Sequence, residues 1–145
     1  MRGAVGALAL LVSVWAFPQE TATYATADNP FQAEYTYTPG QPIVLRTAVT
    51  GVQFDSFTLT APTPASPDEK VTCTLVLDGS NPGERKVTIT AVFLLEDAKG
   101  KALERLSMTS FKVKSGRPFT RNESLTAQGS TLTGAGRIYV FIKLD

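Results

Sequence analysis

Apolar residues recur at every second position from Val87 to Leu95, so Val87, Ile89, Ala91, Phe93 and Leu95 share one side of an extended chain. Thr88 and Thr90 open the other side, but Val92 and Leu94 continue it. The second half of the segment is therefore apolar on both faces, the pattern of a central strand covered on both sides. Asp97-Ala98-Lys99-Gly100 follows as a turn, because glycine accepts a positive φ and aspartate bonds the backbone ahead of it. A second extended run begins at Ala102. The segment reads as the central hairpin of an all-β domain.

The same alternation predicts the other strands. Phe31, Ala33, Tyr35 and Tyr37 alternate with polar residues up to Pro39-Gly40, which gives a half-buried strand with an aromatic inner face. Ile43 to Val49 is the next, and Gly51 turns it into Val52 to Thr60. There the phase moves from Val52 and Phe54 to Phe57 and Leu59, which predicts a β-bulge at Asp55-Ser56. Ala61 to Glu69 holds three prolines, each without a backbone donor, so it is a stiff loop crossing between sheets. Val71 to Leu77 is a strand, ended by the turn residues Asp78 to Gly83. The run Leu103, Leu106, Met108, Phe111, Val113 changes phase at Ser110, which predicts a second bulge or a bend between sheets. Lys114 to Glu123 reads as a basic loop, Ser124 to Gln128 as a short edge strand, and Gly129 to Gly136 as a small-residue turn. The last run, Arg137 to Asp145, is apolar enough to require cover on both faces for most of its length.

Met1-Arg2-Gly3 followed by AVGALALLVSVWA has the layout of a secretory signal peptide cut after Ala16. Its apolar run is short of the ~20 residues that span a bilayer. The expected organisation is a signal peptide at 1–16, a flexible polar segment at 17–30 and one β-sandwich domain at 31–145. Secretion or a periplasmic location follows, with no membrane span once the leader is removed. About eight candidate strands without a convincing amphipathic helix make the expected fold a single antiparallel, immunoglobulin-like sandwich of about 7–8 strands.

Composition narrows the chemistry. The formal net charge is +1, and loss of Arg2 with the leader would balance it. Such a chain has no general attraction to nucleic acid or anionic lipid, so no nucleic-acid partner is expected. Histidine is absent and there is one cysteine. Imidazole-dependent nucleophiles and Cys/His zinc sites are therefore excluded, and no intramolecular disulfide can form. Cys73, beside Val71, Leu75 and Leu77, reads as a small buried hydrophobe. The acidic pairs Asp68-Glu69 and Glu96-Asp97 fall in expected turns, where they read as solvated charges rather than as an acid–base pair. Asp78, Ser80, Asn81 and Glu84 have calcium-ligand chemistry, but Pro82 and Gly83 account for them as a turn. No catalytic residue, cofactor or metal is expected.

Phe93-Leu94-Leu95-Glu96-Asp97 resembles the Phe-x-Leu-Tyr-Asp signature of FxLYD-type domains, with Phe93, Leu95 and Asp97 matching and Glu96 in place of the tyrosine. Gly100 stands where that family places a turn glycine, whereas Gly129 to Gly136 departs from its Pro-Gly turn before the last strand. The resemblance spans Val87 to about Phe111. It implies a small immunoglobulin-like sandwich in an exported protein and no catalytic residues.

The function this favours is an exported, non-enzymatic module that binds another envelope or secreted protein or has a structural role there. Lys114, Arg117, Phe119 and Arg121 are its candidate partner-binding loop. The competing expectation is a small secreted carboxylate-dependent hydrolase or carbohydrate-binding domain. Its sugar platform would need Tyr or Phe, since the one tryptophan, Trp15, lies in the leader.

Overall fold

The computed structural model describes residues 23–145. The expected leader at 1–16, its cut after Ala16 and residues 17–22 of the polar segment lie outside the described residues. From residue 23 on the chain is all-β in two sheets, with one short helix. Its elements are β1 (Ala25–Ala27), β2 (Phe31–Thr36), β3 (Ile43–Val49), β4 (Val52–Thr60), β5 (Lys70–Asn81), β6 (Val87–Glu96), β7 (Ala102–Ser107), β8 (Phe111–Val113), β9 (Arg117–Gln128), α1 (Gly129–Gly134) and β10 (Arg137–Leu144).

The first sheet has the order β1-β3-β4-β5-β9; the second has β2-β10-β6-β7, with β8 also pairing β6. The two inner faces meet in one core. Phe54, Phe57, Leu75 and Leu77 from the first sheet are fully buried, as are Ile89, Phe93, Leu95, Ile138 and Ile142 from the second. Phe57 and Phe93 bridge the sheets at 4.9 Å between ring centres, and Tyr35 meets Phe57 edge-on at 6.2 Å. β6 and β10 sit side by side inside the second sheet, as their apolar alternation requires. Asp97 closes the β6–β7 turn by accepting the Lys99 and Lys101 N–H groups at 2.9 Å.

The bulge expected at Asp55-Ser56 is present: the β4–β5 register skips between Phe54 and Ser56. β3 skips at the same height, between Val44 and Thr47, where Arg46 takes a φ of 44°. At the second phase change the strand breaks over 108–110 without changing sheet, because β7 and β8 both pair β6.

Several expectations are corrected. Among the described residues ten strands stand in place of about 7–8; β1 and β8 are three-residue pieces, and β1 pairs β3 in parallel. Residues 25–27 of the segment expected to be flexible are thus held in a sheet, and the fold begins before Phe31. β5 runs through Asp78-Gly79-Ser80 to Asn81 rather than turning at Asp78. Asn81 is buried, its side-chain amide donating to the Arg85 and Val113 carbonyls and its Oδ1 accepting the Gly83 N–H. Alternation along β5 puts Asp78 and Asn81 on opposite faces, so the calcium-type residues do not converge.

From Arg117 on, the expected basic loop and the short edge strand after it are one long strand, β9, paired with β5 over its whole length, and only Lys114 to Gly116 remain a turn. Pro118 fits because β9 is an edge, where a missing N–H breaks no ladder. Gly129 to Gly134 is a helix rather than a turn, with Thr131 and Leu132 buried. A Cβ on Gly129 would lie 2.9 Å from Pro64 Cβ, so the small residue lets the helix start against the proline loop.

Candidate functional site

The residues expected to form a partner-binding loop do not make one patch. Lys114 lies at the β8–β9 turn and Arg117 opens β9, both exposed. Phe119 and Arg121 point between the sheets. Phe119 stands edge-on to Phe54 at 5.9 Å and to Phe111 at 5.6 Å. The Arg121 guanidinium lies 5.3 Å from the Phe111 ring centre, with its Nε buried and unpartnered. Further along β9, Glu123 accepts the Thr109 N–H at 2.9 Å, and Glu104 of β7 accepts the Gln128 N–H at 3.1 Å. These charged inward positions close the open side of the sandwich and so tie the sheets together.

The double bulge re-aims polar residues on the outside of the first sheet. A shallow hollow of about 580 Å³ there is lined by Tyr24, Arg46, Asp55, Asp78 and Thr120, among others. The Tyr24 hydroxyl donates to Asp55, which pushes the phenol pKa up, and Arg46 sits 5.9 Å from the Tyr24 ring centre. The arrangement pairs its own groups: Asp55 has its donor and Tyr24 its cation.

The outer face of the second sheet is different. Val92 and Leu94 of β6 and Tyr139 and Phe141 of β10 are only half-buried there, and with Arg105 they line a hollow of about 330 Å³. No other element among the described residues lies over them, which corrects the expectation that β6 and β10 are covered on both faces. The strand register arranges this face in rows. Glu34, Tyr139, Leu94 and Arg105 form one row across β2-β10-β6-β7, Gln32, Phe141, Val92 and Ser107 the next, and Thr36, Arg137, Glu96 and Ala102 the row on the other side. The apolar residues occupy the middle and charges the margins. The Tyr139 hydroxyl donates to Gln32, and Arg137 pairs with Glu34 at 2.8 Å.

Glu96 departs from the solvated turn expected of it. It is buried at the end of β6, and its Oε1 has no hydrogen-bond partner among the described residues. Burial pushes its pKa above the usual carboxylate range and the Glu34 carboxylate adds to that, while Arg137 acts the other way. The sequence signal for this face is the even-numbered apolar phase of β6 together with the odd-numbered phase of Tyr139 and Phe141.

No protein-family model matches the chain, and none of the curated proteins compared with it does. Among solved structures, the chain is similar to the Avr2 effector protein from the fungal plant pathogen Fusarium oxysporum. The identity is 12%, the TM-score 0.39, and the match covers 89% of this chain and 95% of the effector. At that level the likeness carries no function across.

Proposed function

We propose that this chain is an exported, non-enzymatic binding module with an immunoglobulin-like β-sandwich, which docks a secreted or envelope protein on the outer face of its second sheet. The observation that carries the reading is the half-buried apolar centre formed by Val92, Leu94, Tyr139 and Phe141 within a charged rim. A contiguous apolar patch framed by polar residues is the usual composition of a protein-docking surface. The FxLYD-type resemblance is in keeping with it: Phe93 and Leu95 lie in the core and Asp97 holds the turn. The hydrolase alternative is less well supported, because Asp55 is engaged by Tyr24, and the two acids that do come together, Glu96 and Glu34, have Arg137 between them on an open sheet face rather than flanking a cleft.

A photo-crosslinking amino acid placed at Phe141, and in a control at the outward-facing Thr72 of β5, tests this in the native host. Protein adducts are expected from position 141 and none from position 72. Equal labelling at both positions, or none at 141, would remove the face from consideration.

A further inference from the structure

The rim charges specify more than a generic partner. We infer that the occupant of this face is a second copy of the same chain, related by a two-fold axis running parallel to the strands between β10 and β6; this rests on the docking reading above. Such an axis lays β10 of one copy over β6 of the other and β2 over β7. Each row then meets itself reversed. Glu34, whose Oε1 holds Arg137 of its own chain, presents its other oxygen to Arg105 of the other copy, while Tyr139 faces Leu94 and Phe141 faces Val92. In the neighbouring row Arg137, which bonds Glu34 and adjoins Glu96 in its own chain, comes over Glu96 of the other copy, whose Oε1 has no partner among the described residues.

An isologous interface makes every such pair twice, so the face is self-complementary in charge. The other in-plane axis, perpendicular to the strands, keeps each strand over itself. It sets Arg137 towards Lys143, in the rows directly flanking the apolar centre, and brings Arg105 over Ser107 with no acid near. Both axes leave the two sheets aligned as in ordinary sheet-on-sheet packing, and charge selects the strand-parallel arrangement.

The size of the face sets the strength. Four strands at ~4.8 Å spacing and about six residues at ~3.4 Å give a footprint of roughly 400 Å² per copy. That is below the ~800 Å² per partner of a standard interface, so the dimer belongs to the weak, transient class.

Sedimentation equilibrium of the protein, expressed in full in an exporting host and purified as recovered, tests the inference between about 5 and 500 μM. The expected result is a shift from monomer to dimer mass across that range. Leu94→Arg abolishes the shift, with unchanged circular dichroism as the folding control. Arg105→Glu and Glu34→Arg each raise the dissociation constant about 10-fold or more, since every lost pair counts twice. Combined in one chain, the two changes return it to within about 3-fold of the original.

Monomer mass at every concentration overturns the second copy as occupant. Adducts from position 141 to a different protein would in that case leave the docking reading standing, and no adducts would remove both. A dimer indifferent to Arg105→Glu and Glu34→Arg overturns the proposed axis, and one that survives Leu94→Arg overturns the face.

Discussion

Gly79→Ala should destabilise this protein far more than its place beside Asp78 and Ser80 would lead one to expect. Gly79 faces inward on β5, paired with Phe54 of β4 on one side and Phe119 of β9 on the other. A Cβ there would fall well inside contact of the Gln53 carbonyl oxygen and 2.5 Å from Phe119 Cζ. The carbonyl cannot withdraw without opening the β4–β5 ladder. The ring cannot swing away without leaving Phe54 and Phe111. Overpacking of this kind costs about 1–3 kcal/mol, and each aromatic pair given up removes about 0.5–1.5 kcal/mol more. The expected loss is therefore about 3 kcal/mol, a large share of the ~5–15 kcal/mol by which such domains are stable. In urea, with a slope of about 1.5 kcal/mol/M, the midpoint should fall by about 2 M. Phe119→Ala in the same background removes the ring's half of the clash. The double variant should thus be less destabilised than the sum of the single ones by about 1–2 kcal/mol, the residue being the backbone collision with Gln53. A Gly79→Ala midpoint within about 0.3 M of the parent, or strict additivity with Phe119→Ala, would refute the reasoning.

Thr50, with φ 45°, and Gly51, with φ 86°, form the two-residue turn between the paired Val49 and Val52, and a β-branched residue is strained there. Thr50→Asn should add about 0.5–1 kcal/mol, read by calorimetry as a rise in Tm of about 2–4 °C. The folded pKa of Glu96 lies above its unfolded value, so the fold favours the protonated form and the stability tied to it is lost as pH rises from the unfolded pKa through the folded one. Glu96→Gln should accordingly raise Tm at about pH 7 and leave it unchanged at about pH 3.5, below both pKa values; an equal gain at both would refute the assignment. Cys73 is fully buried and its thiol pKa is pushed up by that burial, so a thiol reagent should label it only at the rate of unfolding, and rapid labelling of the native protein would contradict the packing. Phe57→Ala removes a ring in contact with both Phe93 and Tyr35 and should cost about 3–5 kcal/mol in urea unfolding.

Period-two alternation was enough to read β3, β4, β6 and β10 closely, and a phase slip located the bulge at Asp55, because an inward side chain that must be apolar leaves its mark in composition. The alternation is hidden along β9, where the inward positions are Phe119, Arg121, Glu123, Leu125 and Ala127. Arg121 and Glu123 lie at the margin of the sandwich, where they bond the opposite sheet's edge instead of entering the core. With charges on the inner face and Gly116 and Pro118 at the start, a long edge strand looks like a basic loop. Gly79 misleads for a related reason. Beside aspartate and serine a glycine signals a turn, and the contact it makes room for is 40 residues further on in the chain.

The outer face of the second sheet exposes a different limit. Val92 and Leu94 opposite Ile89, Ala91 and Phe93, and Tyr139 and Phe141 opposite Ile138, Val140 and Ile142, mark two strands that meet apolar surroundings on both sides. Periodicity states that a cover is required; it does not state whether the same chain provides it. Here the described chain covers one side only, and the rows on the other end in charges that a reversed copy of the same rows would neutralise. A sheet flanked by a second layer and a sheet that borrows its second layer from another molecule thus leave the same trace in sequence. What separates them is the rim: Glu34 is held by Arg137 of its own chain, but Arg105 at the far end of the row adds nothing to an internal packing layer, whereas a face that must find its partner in solution gains register and selectivity from such a charge.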